Sequence, residues 1–382
     1  MTKPLMKRLN LGRLDALFIP LIAGAGGLLV GAVMLLFLHT NPIDAYVAMA
    51  QGAFGSPNSI ADTLVKATPL LFVGIGICIA YRGGVINIGG EGQIVVGSLA
   101  AAAVALTFPG LSAWVMVPVA LVAGFLGGAF WGAIAGVLKS YFRVNEVLST
   151  VMLNFIAIQF MGFLLHGPLL DPTELDSSIR VPQTERLPLA SDLARWVPTR
   201  LHLGVVLAIV MAVLVYILLW RTTIGYRIRA VGLNAVAARY AGISVARYQV
   251  LAILLSGAFS GLGGAVDVLG VTHRLFTDGS LTGFTGNAGF NGIVVALFGG
   301  LHPIGTIPAS ILFGALLVGA NSLQRSAQVP SSFVTTLDGL IVIFVVSSQI
   351  WARRRSQQRL MAGSDKPEPL HPTPEVKSEL AR

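Results

Sequence analysis

The feature that most constrains this chain is a series of long apolar runs separated by short polar stretches. Ten such segments lie near residues 17–38, 64–81, 92–108, 115–138, 145–166, 202–220, 249–270, 287–300, 304–322 and 333–351. Most have the length of about 17–25 residues that a helix needs to cross the hydrocarbon core of a bilayer. A transmembrane β-barrel would instead show alternating segments of about ten residues, which this sequence lacks. The pattern therefore predicts an all-α integral membrane protein.

Composition supports this prediction and excludes a soluble nucleic-acid-binding protein. The chain is 54% hydrophobic and only 11% charged, whereas soluble domains carry about 25% charged residues. The net charge is +9, but the basic residues lie between the apolar runs and not on one face. We therefore expect membrane lipid, and not nucleic acid, as the surroundings of this chain.

The segments predict a polytopic bundle of 8–10 transmembrane helices, because the second, third and eighth segments are short or interrupted by glycine. These would be broken or re-entrant. The predicted organisation is a cytoplasmic N-terminal segment over 1–16, a transmembrane domain over 17–351 and a disordered tail over 352–382. That tail is polar and rich in proline, a composition that buries too little apolar surface to fold.

The placement of basic residues predicts the orientation. With both termini in the cytoplasm, 19 of the 26 lysines and arginines fall on the cytoplasmic side, as the positive-inside rule requires. The loop near 167–201 would then be extracytoplasmic, and the loop near 221–248 would be cytoplasmic.

The cytoplasmic loop carries five arginines and no acidic residue between Arg221 and Arg247. Within it, Asn234 is a good N-cap and Gly242 a good helix terminator, which predicts a helix of about two turns over Ala235–Ala241. A helix this short is unstable alone. It therefore docks either on lipid headgroups or on a cytoplasmic partner protein.

A second unusual stretch is "GVINIGGEGQIVVG", from Gly84 to Gly97. Its glycines favour a broken helix, as in many transporters, and a carboxylate at mid-membrane costs about 2.5–3.5 kcal/mol on insertion scales. We expect Glu91 either to cap the following helix, to bind solute hydroxyls together with Asn87 and Gln93, or to lie at a partner-facing or boundary position.

Other polar and aromatic residues in apolar context are candidates for the permeation path. We expect Asn145 and Asn154 either to cap helices and make interhelical contacts or to line the permeation path. The candidates for contact with a ring-shaped solute are Phe284, Phe290 and Asn291. Asp267, which is expected to pair with Arg274, and Asp338 are lone carboxylates. The stretch "NAGFNGIVVALFGG" (287–300) is weakly similar to the first broken stretch, with Ile94 and Ile293 at equivalent positions 199 residues apart. This similarity, called the echo below, reflects either a structural repeat or chance.

Glycines recur at every fourth position of the fourth segment, at Gly124, Gly128, Gly132 and Gly136, and again at Gly257 and Gly261. Such ridges allow two helix backbones to approach closely. Packing within one subunit is the favoured interpretation, and a subunit interface is the alternative.

No catalytic constellation is present. The sequence has no phosphate-binding loop and no histidine or cysteine pattern with metal-ligand spacing. The chain is therefore not expected to be an enzyme or to hold a cofactor or metal, and active transport would draw energy from an ion gradient or from another polypeptide.

Three separated segments carry a family resemblance: "GGVINIGGEGQIVVGSLAAA", "YFRVNEVLSTVMLNFIA" and "RIRAVGLNAVAARYAGI". In this order they resemble ATP-binding-cassette (ABC) permeases of the branched-chain amino acid, ribose and nucleoside type, in its simple-sugar and nucleoside branch. The resemblance runs from about Ala61 to Val346. One departure is Ala235, where the family pattern suggests proline or glutamate.

The resemblance implies a permease subunit of an ABC importer in a bacterial inner membrane. The partners would be a cytoplasmic ATPase, a second permease subunit, alike or related, and an extracytoplasmic solute-binding protein. The solute would be a nucleoside or a simple-sugar-like compound. The residues that match the family's ATPase-coupling segment are Asn234, Ala237, Ala238, Tyr240, Ala241 and Gly242.

Two alternatives stay open. An ion-driven secondary transporter would need a titratable site within the membrane, and only Glu91, Asp267 and Asp338 could supply it. A passive channel or structural membrane subunit would need no ATPase at all.

Overall fold

The computed structural model describes residues 39–174, 180–196 and 198–327, together with 26, 27, 29–37 and the single positions 336, 339, 340, 343 and 347. Throughout these residues the regular structure is helical, with two isolated β-bridges, Gln183–Phe276 and Arg195–His202. The prediction of an all-α membrane bundle is confirmed. The predicted terminal segments 1–16 and 352–382 lie outside the described residues, as does Asp338.

The described helices fall into spans, short connecting helices and one half-length helix. They are α1 (Leu29–Phe37), α2 (Pro42–Phe54), α3 (Pro57–Arg82), α4 (Gly90–Thr107), α5 (Ala113–Phe142), α6 (Glu146–His166), α7 (Gly204–Arg221), α8 (Thr223–Leu233), α9 (Ala235–Tyr240), α10 (Val245–Asp267, continued by a π-helical turn over Val268–Thr272), α11 (Ala288–Phe298) and α12 (Pro303–Ala327).

Seven of these helices are long and apolar enough to cross a membrane, or eight if the bent pair α1 and α2 forms one span. The described residues therefore give fewer spans than the upper end of the predicted range. The eighth apolar segment of the sequence is α11, whose 11 residues extend about 16 Å, roughly half of the 30 Å hydrocarbon core. Most of the tenth segment, 333–351, lies outside the described residues.

Local sequence signals set the helix ends. Ser56 accepts a hydrogen bond from the Ser59 N–H (3.1 Å) just before the proline that begins α3. Asn145 accepts one from the Val147 N–H (2.9 Å) and so caps α6. Polar side chains at these positions satisfy donors that the first helical turn leaves free, which explains why the helices start there.

Burial divides the spans into an inner and an outer set. About three quarters of α3, α4 and α10 is buried (83%, 67% and 72% of each span), but only 28–33% of α5, α6 and α7. The outer helices expose large apolar side chains, such as Leu126, Phe130 and Phe163. Apolar exposure of this kind is favourable in lipid, so these outer helices are suited to the surface of a membrane bundle.

The glycine ridge of α5 packs against α10 within the same chain. A Cβ atom placed on Gly128 would lie 2.2 Å from the Gly257 carbonyl oxygen, and one on Gly261 would lie 2.5 Å from that of Gly124. Only glycine permits this approach of two backbones. The interpretation of the ridge as packing within one subunit is confirmed.

The bundle has two distinct ends, separated by the length of α7. The loop face comprises residues 167–174, 180–196, 198–203 and 273–287, and the basic face comprises α8 and α9. On the loop face, backbone N–H groups of Thr184 and Leu187 donate to the carbonyls of Leu275 (2.9 Å) and His273 (2.8 Å). These bonds tie the two loops of that face together.

Candidate functional site

The helix α9 on the basic face is defined by its two caps. Asn234 Oδ1 accepts hydrogen bonds from the N–H groups of Val236 and Ala237, both at 3.0 Å. At the other end Gly242 has a φ of +76°, and the Ile243 N–H donates to the Ala238 carbonyl (2.9 Å). This bond and the left-handed glycine form a Schellman motif. The predicted two-turn helix is therefore present, with the predicted cap residues.

The outward surface of α9, together with the last residue of α8, carries an apolar stripe. Leu233, Val236 and Tyr240 are 86%, 64% and 90% exposed, and Ala237, Ala241 and Gly242 are exposed as well. Ala238 requires a correction to its expected role as a contact residue. It is only 4% exposed, because it lies on the inner side of α9, and so it supports the helix from beneath.

The inner end of the basic face rests on the turn that follows α3. A Cβ atom on Gly232 of α8 would lie 2.1 Å from the Arg82 carbonyl oxygen, and one on Gly84 would lie 2.9 Å from the Gly232 Cα atom. Gly84 has a φ of +73°. The α8 backbone therefore contacts the start of the broken stretch directly, with no side chain between them.

An aromatic and cationic cluster extends this contact. The guanidinium groups of Arg82 and Arg229 lie 5.4 and 5.6 Å from the ring centroid of Trp220, within the range of cation–π attraction. The Arg82 guanidinium also donates to the Leu301 carbonyl (3.2 Å). Arg82, at the end of α3, thus joins Trp220 of α7 to the turn between α11 and α12.

The break between α3 and α4 is closed by buried amides that bond to one another. Asn87 Nδ2 donates to Gln93 Oε1 (3.0 Å) and to Ser256 Oγ (2.8 Å), and Asn87 Oδ1 accepts from the Gly89 N–H (2.8 Å). All three side chains are at most 1% exposed. Asn87 and Gln93 therefore hold the break in place, and neither lines a described cavity.

Asn154 of α6 completes the same structure. Its Oδ1 accepts from the Gly92 N–H (2.8 Å), a free donor in the first turn of α4, and its Nδ2 donates to the Ile88 carbonyl (3.0 Å). Asn154 is fully buried, whereas Asn145 is exposed at the start of its helix. Both residues act in capping, the first between helices and the second within its own helix.

Glu91 caps a helix other than the expected one. It has no solvent exposure, and its Oε1 accepts a hydrogen bond from the Phe290 N–H (3.0 Å) in the first turn of α11. The expectation that Glu91 caps its own helix α4 is therefore corrected. Its other oxygen, Oε2, accepts no hydrogen bond within the described residues. A carboxylate at this place is stabilised because the positive ends of two helices converge on it.

The echo between the two glycine-rich stretches corresponds to a contact in space. Glu91 and Phe290 are 199 residues apart, which is the separation of the echoed positions. Gly90 and Gly289 have the same separation, and a Cβ on Gly90 would lie 3.0 Å from the Gly289 carbonyl oxygen. The equivalent helices α4 and α11 therefore meet at their N-termini, which favours a structural repeat over chance.

Of the remaining predicted path residues, Phe290 belongs to the contact between α4 and α11 through its backbone N–H, and Phe284 lines a separate cavity. Phe284 is buried in an edge-to-face pair with Phe276, with ring centroids 5.5 Å apart, and it lines a cavity of about 330 Å³. Phe290 and Asn291 lie in α11 and do not line that cavity. Asp267 lines it too, and no ion pair joins this carboxylate to Arg274 in the part of the chain that the structure describes.

Sequence reasoning missed most of the walls of this cavity. Lys66, Thr272, Thr285 and Asn321 come from separate segments, and none belongs to a motif. The only sequence signal for this cavity was that Lys66 and Asp267 are isolated charged residues within apolar runs.

Comparison with known proteins identifies relatives along most of the chain. The family model for the permease component of branched-chain amino acid transport systems matches residues 59–346. The guanosine ABC transporter permease protein of Bacillus subtilis is 36% identical over 336 residues, which is 88% of this chain and 94% of the relative. No solved structure gives a significant match.

Two further relatives have different solutes in their names. The nucleoside ABC transporter permease protein of Lactococcus lactis is 34% identical over 333 residues, covering 86% of this chain and 90% of the relative. The glucose ABC transporter permease protein of Haloferax volcanii is 31% identical over 350 residues, covering 88% of each.

Proposed function

The chain belongs to the family of branched-chain amino acid transport system permease components, and from this membership we propose how it acts as the membrane subunit of an ABC importer. It is a multi-pass transporter subunit and not an enzyme. In the proposal it lies in a bacterial plasma membrane with the basic face in the cytoplasm, and it carries a nucleoside or a sugar-like solute, as the names of its relatives suggest.

The observation that carries the proposal is the exposed stripe of α9. Val236 and Tyr240 of α9, together with Leu233 at the end of α8, expose three large apolar side chains next to one another. A six-residue helix needs a partner to be stable, and tyrosine is among the residues that dominate binding energy at protein interfaces. A cytoplasmic ATPase subunit is the occupant that the family implies. The arginines of the loop favour an acidic surface on that partner.

The contacts behind α9 suggest how force would be transmitted. Closure of the ATPase would push α9 and α8, and Gly232 would pass this displacement to the backbone of Arg82 and Gly84. That turn leads to α4, and Arg82 bonds to the turn after α11 through the Leu301 carbonyl. The two helices that meet at Glu91, α4 and α11, are therefore mechanically linked to the docking surface.

The other proposed partners bind elsewhere on the molecule. A second permease subunit, identical or related, would complete the path, and an extracytoplasmic binding protein would deliver solute to the loop face. The ordered backbone bonds of that face, such as Thr184 N–H to the Leu275 carbonyl (2.9 Å), give it a fixed shape for such a contact.

The test compares Tyr240→Ala with Tyr141→Ala in the assembled transporter. Tyr141 is also an exposed tyrosine (60%), at the end of α5 on the same side of the bundle, but outside α8 and α9. We expect Tyr240→Ala to reduce both ATPase co-purification and uptake, with a loss of about 2 kcal/mol in association if Tyr240 is an interface hot spot.

Tyr141→Ala should leave both measurements unchanged. Equal behaviour of the two variants would contradict the docking assignment. Uptake that survives ATP depletion but collapses with a protonophore would instead support an ion-driven transporter.

A further inference from the structure

The cavity of about 330 Å³ lies between α3, the C-terminal end of α10, the loop before α11, and α12. Its size is within the range of small-molecule sites in proteins. Lys66 and Asp267 contribute opposite charges, and Phe276 and Phe284 contribute an aromatic wall. It is therefore a site with both polar and aromatic recognition groups.

One hydroxyl group at this cavity lacks a partner. Thr272 Oγ1 is buried and makes no hydrogen bond within the described residues, and Thr272 lines the cavity. Thr285 also lines the cavity, and its hydroxyl interacts with the Glu91 carboxylate. Because buried polar side-chain atoms are nearly always hydrogen-bonded, the Thr272 hydroxyl indicates a polar ligand at this cavity.

The backbone is irregular at the same place. The last turn of the α10 span is π-helical over Val268–Thr272, and Val271 and Thr272 of this turn line the cavity. Single π-helical turns are rare and occur frequently at functional sites. The π-helical turn therefore adds a backbone feature at the position of the unpartnered Thr272 hydroxyl.

The chemistry of the walls selects a class of solute. A carboxylate such as Asp267 accepts hydrogen bonds from hydroxyl groups, and the Asn321 amide both donates and accepts. The Phe276–Phe284 pair offers apolar aromatic surface, on which planar heterocycles stack. A sugar can place only its small C–H face against the aromatic wall, whereas a nucleoside offers a planar base for the wall as well as ribose hydroxyls for the polar groups.

We propose that this cavity is the solute-binding site of the permease and that its ligand is a nucleoside, with ribose hydroxyls at Asp267 and the base against Phe276 and Phe284. The inference rests on the proposed function and goes further, because it names the residues and the solute class. Asn87, Glu91 and Gln93 then shape the neighbouring junction and do not contact the solute.

The test uses cysteine protection in the assembled transporter. Cys78 is the single cysteine of the chain and is buried, so Cys78→Ser gives a cysteine-free background. In it, Thr272→Cys reports on the cavity, and Leu189→Cys, at a residue 78% exposed on the loop face, serves as the control. Each is labelled with a small methanethiosulfonate reagent in the presence of guanosine, uridine or glucose.

We expect the nucleosides to slow labelling of Thr272→Cys several-fold, glucose to have no effect, and Leu189→Cys to react equally throughout. Adding Asp267→Asn should raise the nucleoside concentration for half-protection by about 10–100-fold, since a hydrogen bond to a charged group is lost. Glu185→Gln, at an exposed carboxylate of the same face, should not change it.

Equal protection by glucose would overturn the nucleoside assignment. Absence of protection in a transporter that still takes up nucleoside with ATP would overturn the site while leaving the proposed function intact. Loss of ATP dependence would instead contradict the proposed function itself.

Discussion

The contact between α5 and α10 makes a quantitative prediction for Gly128→Ala. The added Cβ atom would lie 2.2 Å from the Gly257 carbonyl oxygen, whereas ordinary contacts begin at 3.4 Å. The obstructing atoms are backbone, so no rotamer change relieves the clash and the helices must separate by about 1.2 Å. Overpacking of this kind costs about 1–3 kcal/mol.

A matched control isolates that cost. Gly162 lies in α6 with no atom within 4 Å of an added Cβ, so Gly162→Ala changes only intrinsic helix propensity. Alanine gains about 0.8–1.0 kcal/mol over glycine in a helix interior, and this gain is common to both variants. The difference between them is therefore the strain at the helix contact.

The buried Cys78 thiol supplies the assay. It is inaccessible in the folded chain, so a thiol-reactive fluorophore reports thermal unfolding of the purified protein. We expect Gly128→Ala to unfold at a clearly lower temperature than Gly162→Ala. Equal midpoints would refute the conclusion that glycine is required for this helix contact.

Three further predictions follow from single contacts. Glu91→Ala should destabilise the chain by about 1–3 kcal/mol, because the buried Phe290 N–H loses its acceptor, while Glu91→Gln retains an acceptor and should cost less in the same thermal assay. Asn234→Ala should cost about 1 kcal/mol of local stability in α9, seen as faster amide exchange in its first turn without a change in the global midpoint. Burial lowers the pKa of His202 to about 4 from about 6.5, so between these values the unfolded chain binds more protons. The contribution of His202 to stability is therefore fully present above about pH 6.5 and falls by about 3 kcal/mol as the pH drops toward 4. His202→Asn keeps an acceptor for the Gly204 N–H, so the melting temperature of this variant should depend less on pH over the same range.

The predictions that held are those governed by local sequence. The short helix α9 has both of its predicted caps, because Asn234 bonds to N–H groups two and three residues away. The break before α4 was predicted from its glycines, which is again a property of residues adjacent in the sequence. Family membership was also predictable, since three motifs lie in order along the chain.

The predictions that needed correction depend on which other part of the fold packs against the residue. Capping of α4 was one of three roles expected for Glu91, but the donor it meets is the Phe290 N–H of α11. Ala238 was expected to contact a partner, but it is on the buried side of α9. Neither outcome follows from residues adjacent in sequence.

The sequence by itself determined that this chain is a helical membrane protein, where its glycine ridges and broken stretch lie, and which loop carries a capped two-turn helix. These properties depend on hydrophobicity and on hydrogen bonds spanning a few residues. Only the tertiary structure decided that α4 and α11 meet at Glu91, and that Lys66, Asp267, Thr272, Thr285 and Asn321 surround one cavity. The physical reason is that a site assembled from four distant segments exists only after helix packing fixes their relative positions, and no periodicity within any one segment encodes that arrangement.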